Sequence, residues 1–353
     1  MLKSKKFYSI ILCALLLYFA LNNVDLKLLK ETLATANIRF FWLTFFSYTT
    51  EYIFRSLRFK ILLKGDKSFI EYFSNVVFGY FINYLLPGRA GEVARTLYSE
   101  RKGLAQSGNV IASIIAERFL DISILLVFIL ISFNKAVTEL NIKAVVIGAL
   151  TLYTAIFLFF TLLIKKRDFM LKIFDKLSLC IAKTAAWFLR VFYKIKGKEP
   201  EESSQKSENL HDKIMSFLQA TGENMADKTA ELFNLPTLFL LIIVTALSWG
   251  ATICTQSFAL KMFGISPGVT SVIFLMTLLS FAGLVPVTPG SIGVYQVICI
   301  AVIHSSFGYS REQGAAYAII SHALVYLYLA IAGSIIILKE GISLKEIKTI
   351  SKE

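Results

Sequence analysis

The chain has 353 residues, of which 56% are hydrophobic and 14% aromatic, and its mean hydropathy is +0.65. This composition excludes an ordinary soluble domain and indicates that lipid surrounds most of the chain. Lysine and arginine number 37 against 24 acidic residues, a net charge of +13. In a membrane protein such an excess usually faces anionic headgroups from cytoplasmic loops, so nucleic acid is not the expected partner.

Six apolar runs are long enough to cross a hydrocarbon core. They lie at about residues 7–23, 38–59, 110–133, 144–164, 236–262 and 312–338. The first run could be a signal peptide, because Ala34-Thr35-Ala36 resembles a cleavage site. The charged stretch from Asp25 to Glu31 separates the two, so we interpret the first run as an uncleaved spanning helix.

Two further apolar stretches are interrupted by proline and glycine, over about residues 69–102 and 269–306. Such breaks are tolerated in lipid only where the freed backbone groups are buried in protein or line a polar cavity. We therefore predict two broken, re-entrant helical hairpins. Paired breaks in corresponding segments of two inverted halves are typical of a transport site at the repeat interface.

Both breaks contain Pro-Gly-x-x-Gly, beginning at Pro87 and at Pro289. A proline suits the first turn of a helix, and Thr288 is a candidate N-cap. Each second half-helix would then point its free N–H groups and positive dipole end at the membrane interior. This arrangement favours an anionic ligand such as a phosphate.

Basic clusters predict the orientation, since four of them should face the cytoplasm. They lie at the N-terminus, at Arg55 to Lys67, at Lys165 to Lys198 and after Leu338. We predict an all-α, polytopic integral membrane protein of the cell membrane, with inverted-topology repeats and both termini cytoplasmic. Its expected parts are a first membrane half (1–164), a basic amphipathic cytoplasmic region and loop (165–235), and a second membrane half (236–353).

Charged residues recur at helical spacing near the first break. Glu51, Arg55 and Arg58 share one helix face, with Glu51 well placed to pair with Arg55. Arg58 could instead be an interfacial arginine whose charge reaches headgroup water. Ionisable groups inside a membrane usually mark a substrate path.

The helix after the first break carries Arg89, Glu92 and Arg95 at every third position. These charges could mark the substrate path or face cytoplasmic water. Glu117 and Asp121, with Arg118 beside them, share the next helix face. The two carboxylates repel unless an arginine such as Arg95, a substrate amine or a shared proton lies between them.

His322 and Tyr326 share a face of the last predicted span. A buried, hydrogen-bonded histidine is favoured over a proton relay. The four cysteines make no CxxC pair and the three histidines lie far apart, so we expect packing thiols, no cofactor and no metal.

Four segments together resemble the lysylphosphatidylglycerol synthase transmembrane family, over nearly the whole chain. They are EYIFRSLRFK from Glu51, NYLLPGRAGEVAR from Asn83, ERFLD from Glu117 and VPVTPGSIGVYQ from Val285. The resemblance implies translocation of a phospholipid or an isoprenoid-linked lipid, as by the membrane half of the bacterial multiple peptide resistance factor. This chain has no region comparable to the cytosolic synthase of that protein, so no synthase activity is expected.

The leading hypothesis is a flippase for an anionic phospholipid or polyprenyl-phosphate-linked lipid, in contact with membrane phospholipids. An intramembrane enzyme using Glu117 and Asp121 on a lipid headgroup, and a noncatalytic partner of a lipid synthase, are the alternatives. A partner synthase or glycosyltransferase and a homo-oligomer stay open. Candidate substrate-binding residues are Arg55, Arg58, Asn83, Gly88, Arg89, Gly91, Glu92, Arg95, Thr288, Gly290, Gly293 and Gln296. Candidate charge-balancing or proton-coupling residues are Glu51, Glu117, Arg118, Asp121 and His322.

Overall fold

The structure is a computed structural model that describes residues between 15 and 341. The gaps within this range are 23, 87–89, 141–146, 149–150, 152–153, 156–157, 159–166, 196–205, 217, 221, 224–233 and 285–287. Throughout the described part every regular element is a helix, which confirms the all-α prediction.

The first half contains five helices whose bounds the structure describes. They are α1 (Leu26–Ala34), α2 (Ile38–Leu63), α3 (Phe69–Leu85), α4 (Ala90–Lys102) and α5 (Ser107–Leu140). Local chemistry sets several of these boundaries. The Asp25 carboxylate accepts hydrogen bonds from the first N–H groups of α1, and Ser68 with Glu71 forms a capping box at the start of α3.

An amphipathic helix, α6 (Arg167–Ile195), precedes the second half. The second half contains α7 (Leu235–Lys261), α8 (Val269–Leu284), a 3₁₀ turn (Pro289–Ser291), α9 (Val294–Ser305) and α10 (Arg311–Glu340). Ser310 and Gln313 form a capping box at the start of α10, and Gly341 ends that helix in the left-handed conformation.

Four of the six predicted spans correspond to the long helices α2, α5, α7 and α10. The first span is described only from residue 15, and most of 144–164 lies outside the described residues. Within the described part, α7 and α10 are long and apolar enough to cross a membrane. Helices α2 and α5 contribute most of the ionisable residues described below.

Each half contains the same order of long, short, short and long helices. Their lengths are 26, 17, 13 and 34 residues in the first half and 27, 16, 12 and 30 in the second. The most extensive contacts between the halves join α2 with α7, α5 with α8, and α3 with α10. One apolar core that includes Phe59, Val77, Leu260 and Tyr317 continues across this contact.

Candidate functional site

The second break is a tight turn that sequence analysis predicted in the right place but with the wrong local structure. Gly290, Ser291 and Gly293 all have positive φ values, of 56°, 60° and 89°. A left-handed backbone cannot continue an α-helix, so α9 begins at Val294 and the predicted start at Pro289 is wrong. Thr288 is not the cap of that helix, since its hydroxyl donates to the carbonyl of Ile292 at 2.9 Å.

His322 connects α10 to this turn through a chain of hydrogen bonds. The Gly293 N–H donates to Oε1 of Gln296 at 2.7 Å. The Gln296 amide nitrogen lies 3.0 Å from Nδ1 of His322, whose Nε2 lies 2.9 Å from the Gly290 carbonyl oxygen. An amide NH₂ can only donate and a carbonyl can only accept, so His322 must be neutral with its proton on Nε2. The histidine is buried and hydrogen-bonded, as favoured from the sequence.

Close backbone packing surrounds the first break. Gly88 and Arg89 lie outside the described residues. Beside them, the Gly91 N–H donates to the Asn83 side-chain oxygen at 2.7 Å. A Cβ on Gly91 would overlap the carbonyl oxygen of Gly79, so α3 and α4 meet backbone to backbone. Only glycine allows this approach, which explains the second glycine of the first motif.

Arg95 and Glu117 form a buried, two-point ion pair between α4 and α5. Nη1 of Arg95 lies 2.7 Å from Oε2 of Glu117, and Nη2 lies 3.3 Å from Oε1. The Arg95 Nε donates to the Asn75 side-chain oxygen at 3.2 Å, and the guanidinium Cζ lies 4.2 Å from the centre of the Phe59 ring. The sequence correctly named Arg95 as a cation that could lie beside this carboxylate.

Arg58 and Asp121 form a second pair of the same kind, between α2 and α5. Their two contacts measure 2.8 Å and 3.3 Å. The indole N–H of Trp249 donates to the same carboxylate at 3.1 Å, which ties α7 to the pair. Arg58 is 2% exposed, so within this structure it is an internal ion-pair partner and its charge does not reach a protein surface.

Two further arginines complete a network of buried and half-buried charges. Arg118 lies 3.6 Å from Glu92 and 3.5 Å from Asp121. Arg55 contacts Glu51 through Nε at 3.0 Å and Nη2 at 2.8 Å, as the i, i+4 spacing predicted. Its Nη1 donates to the Tyr80 hydroxyl at 2.6 Å. Each carboxylate of this network therefore has a guanidinium beside it.

A cavity of about 260 Å³ lies where the two halves meet. Helices α2 and α3 contribute one wall, and α7, α8, α9, α10 and the second break contribute the rest. The lining residues are Arg55, Tyr84, Trp249, Thr252, Gln256, Met276, Leu279, Ser280, Gly290, Ser291, Tyr295 and His322.

Three predicted site residues, Arg55, Gly290 and His322, line this cavity together. The other described candidates form the ion-pair network or hold the two breaks. The sequence did not identify the aromatic lining residues Tyr84, Trp249 and Tyr295, or the amide of Gln256. One signal was available, because Thr252 and Gln256 are polar residues four positions apart on the otherwise apolar α7.

Comparison with known proteins agrees with the resemblance seen in the sequence motifs. The model of the lysylphosphatidylglycerol synthase TM region matches residues 6–333. The UPF0104 membrane protein PH1989 of Pyrococcus horikoshii is 22% identical over 342 residues, which cover 95% of this chain and 97% of that protein. No solved structure matches the chain significantly. Because the family match spans nearly the whole chain, this membrane protein belongs to the lysylphosphatidylglycerol synthase transmembrane-region family.

Proposed function

We propose that the protein moves an anionic lipid from one membrane leaflet to the other, with the headgroup phosphate in the cavity between the halves. The observation that carries this proposal is the position of Arg55 in the wall of the cavity at the contact between the halves. The family is named for lysylphosphatidylglycerol, which supports a phospholipid as cargo.

Arg55 is suited to hold a phosphate while keeping its present contacts. A guanidinium has five N–H donors. Nε and Nη2 face Glu51 and Nη1 faces Tyr80, which leaves further N–H groups for a ligand in the cavity. Arginine binds phosphate strongly through charge-assisted hydrogen bonds, and more so in a site that excludes water. Arg89, beside the first break, is proposed as a second phosphate ligand on sequence grounds.

The contacts between the halves support a two-fold repeat, and we propose that this repeat is inverted, with two re-entrant hairpins. If α2 to α5 correspond to α7 to α10, exchanging the halves turns the contact of α3 with α10 into that of α8 with α5. The contact of α2 with α7 then maps onto itself. A pseudo-two-fold axis produces this pattern, and rocking of one half against the other would expose the cavity to each leaflet in turn.

The ion pairs disfavour the alternative of an intramembrane enzyme. Glu117 and Asp121 each accept two hydrogen bonds from an arginine, Arg95 and Arg58 respectively. A general acid or base must exchange its proton with the substrate, whereas these oxygens already contact guanidinium groups. We propose that both carboxylates support the architecture of the site.

Leaflet transfer in proteoliposomes tests the proposal. Purified full-length protein would be reconstituted with acyl-labelled phosphatidylglycerol, and transfer followed by quenching of the outer-leaflet label. The variant Glu51→Gln with Arg55→Gln removes the cation without leaving an unpaired buried charge, and Arg39→Gln is its exposed control. We expect transfer by the wild type and the control and at least about a tenfold loss in the double variant, equal to 1.4 kcal/mol.

No transfer by the wild-type protein would overturn the proposal. Product formation from the lipid without transfer would favour the enzyme instead. If the protein neither transfers the lipid nor converts it but stimulates a co-reconstituted lipid synthase, the noncatalytic partner would be favoured.

A further inference from the structure

We propose that the amphipathic helix α6 docks on the anionic surface of the membrane, with a stripe of lysines among the headgroups and an apolar side against the acyl chains. No residue of α6 is among the described residues that line the transport cavity, so this surface is separate from the proposed translocation site. The distribution of buried, charged and apolar side chains around the helix carries the inference.

One face of α6 packs against the chain that follows it. Ser178, Ala182 and Ala186 recur every four residues and are all buried. Asp175 lies at the edge of the same face, and its Oδ1 accepts a hydrogen bond from the side-chain amide of Gln219 at 3.2 Å. Small side chains allow the helical segment that contains Gln219 to lie close to this face. The two segments therefore form a hairpin.

A basic stripe lies about a quarter turn around α6 from the packed face, at 3.6 residues per turn. The stripe consists of Lys172, Lys176, Leu179, Lys183 and Trp187, and all five side chains are exposed. Trp187 is 59% exposed and Leu179 is 40% exposed. None of the three lysines forms an ion pair with a described residue, so their charges are available to an anionic partner.

An apolar side begins next to Trp187 and lies nearly opposite the packed face. Cys180, Ile181 and Thr184 are exposed there, Ile181 by 47%, and none of them is charged. Lysines beside an apolar side, with a tryptophan at the boundary, are typical of a helix that lies in the membrane interface. The lysine stems can cover apolar surface while the ammonium groups reach the phosphates.

The membrane is the partner that the rest of the molecule supplies. In the described part of the chain, α6 has no extensive contact with the helices of either half. The chain enters the membrane again at Leu235, where α7 begins, so the hairpin is tethered beside the bilayer. A tethered helix docks at high effective concentration, and weak attraction of each lysine to anionic lipid is then sufficient.

Quenching of an NBD label on Cys180 measures docking in the full-length protein. Cys180 is exposed beside the apolar side, and it becomes the single attachment point in the variant Cys13→Ser, Cys254→Ser, Cys299→Ala. Vesicles of phosphatidylcholine, with and without added phosphatidylserine or phosphatidylglycerol, would contain phosphatidylcholine with a nitroxide near the top of one acyl chain. We expect strong quenching with either anionic lipid and weak quenching without one. Raising the salt from about 0.1 M to about 1 M shortens the Debye length from about 10 Å to about 3 Å and should weaken the quenching.

Removing the charge of the stripe tests the role of its lysines. The labelled triple variant is Lys172→Gln, Lys176→Gln, Lys183→Gln, which leaves the packed face unchanged. We expect at least about a threefold loss of quenching in anionic vesicles, because each lysine contributes to the attraction. The matched control removes three basic charges from other exposed positions and should leave the quenching unchanged. Its changes are Lys27→Gln, Lys30→Gln and Arg39→Gln.

Equal quenching with and without anionic lipid, or equal quenching in the two triple variants, would overturn the docking proposal. An effect of only one anionic lipid would also overturn it, since that result indicates a headgroup-specific site. Shielding of the label that rises with the protein-to-lipid ratio would assign the surface to a second copy of the chain instead. The translocation proposal is independent of these outcomes, because leaflet transfer is measured separately.

Discussion

Nε2 of His322 lies 2.9 Å from the carbonyl oxygen of Gly290, across 32 residues of chain. This hydrogen bond attaches the middle of α10 to the turn that interrupts the second hairpin. The turn exposes backbone groups that an α-helix would have paired, and in lipid such groups must find partners within the protein. The histidine therefore stabilises a backbone conformation that contributes directly to the cavity wall.

Replacing His322 by phenylalanine should remove this attachment while keeping an aromatic ring beside Tyr295. The Gly290 carbonyl and the Gln296 amide would both lose a partner, at a cost of about 1–3 kcal/mol. We expect a lower apparent melting temperature in detergent and slower leaflet transfer. His211→Phe, at a partly exposed position in the 206–216 helix, is the control; an equal effect of both changes would contradict the assigned role.

Gly290→Ala should be more damaging than Gly308→Ala, although both glycines have positive φ values of 56° and 74°. Either alanine is strained by about 1–2 kcal/mol in the left-handed region. A Cβ on Gly290 would also overlap the Tyr326 hydroxyl, whereas nothing lies within 4 Å of one on Gly308. Melting temperatures of the two variants measure the extra loss of stability in Gly290→Ala. The double variant Gly290→Ala with Tyr326→Phe should recover part of that loss.

Gly91→Ala should destabilise the protein, because its methyl group would separate α3 from α4 at the carbonyl of Gly79. Gly250→Ala is the matched control within a helix, since nothing lies within 4 Å of a Cβ there. That control should be neutral or stabilising by up to about 1 kcal/mol through helix propensity. We expect a lower melting temperature for Gly91→Ala and an unchanged or higher one for Gly250→Ala, and a neutral Gly91→Ala would contradict the close contact.

Arg95→Met should cost about 3–5 kcal/mol, because it leaves the Glu117 carboxylate buried without its cation. Adding Glu117→Leu should recover most of the loss, since an apolar pair of similar volume replaces the ion pair. Arg39→Met, at an exposed position, should change little. Apparent melting temperatures of the four proteins test this, and a double variant no more stable than Arg95→Met alone would argue against a direct pair.

Helix positions and the two breaks could be predicted from the sequence, because hydropathy and the Pro-Gly motifs are local properties. The bounds predicted for the two interrupted helical stretches, about 69–102 and 269–306, agree closely with α3 to α4 and α8 to α9. The first residue of α9 could not be predicted from the sequence. Proline at the first turn favours a helix, but the left-handed Gly290 and Ser291 delay its start until Val294. The His322 side chain hydrogen-bonds the Gly290 carbonyl, and the Gln296 side-chain oxygen accepts from the Gly293 N–H, which stabilises that conformation.

By itself, the sequence determined that this is an all-helical membrane protein whose buried charges recur at helical spacing. Which charged side chains pair with one another was decided only by the tertiary structure. Arg58 pairs with Asp121 across 63 residues, and the cavity wall combines Arg55 with Gln256 from the other half. Helical spacing establishes only which side chains share a face, whereas ion pairs and cavities depend on which faces meet when the helices pack.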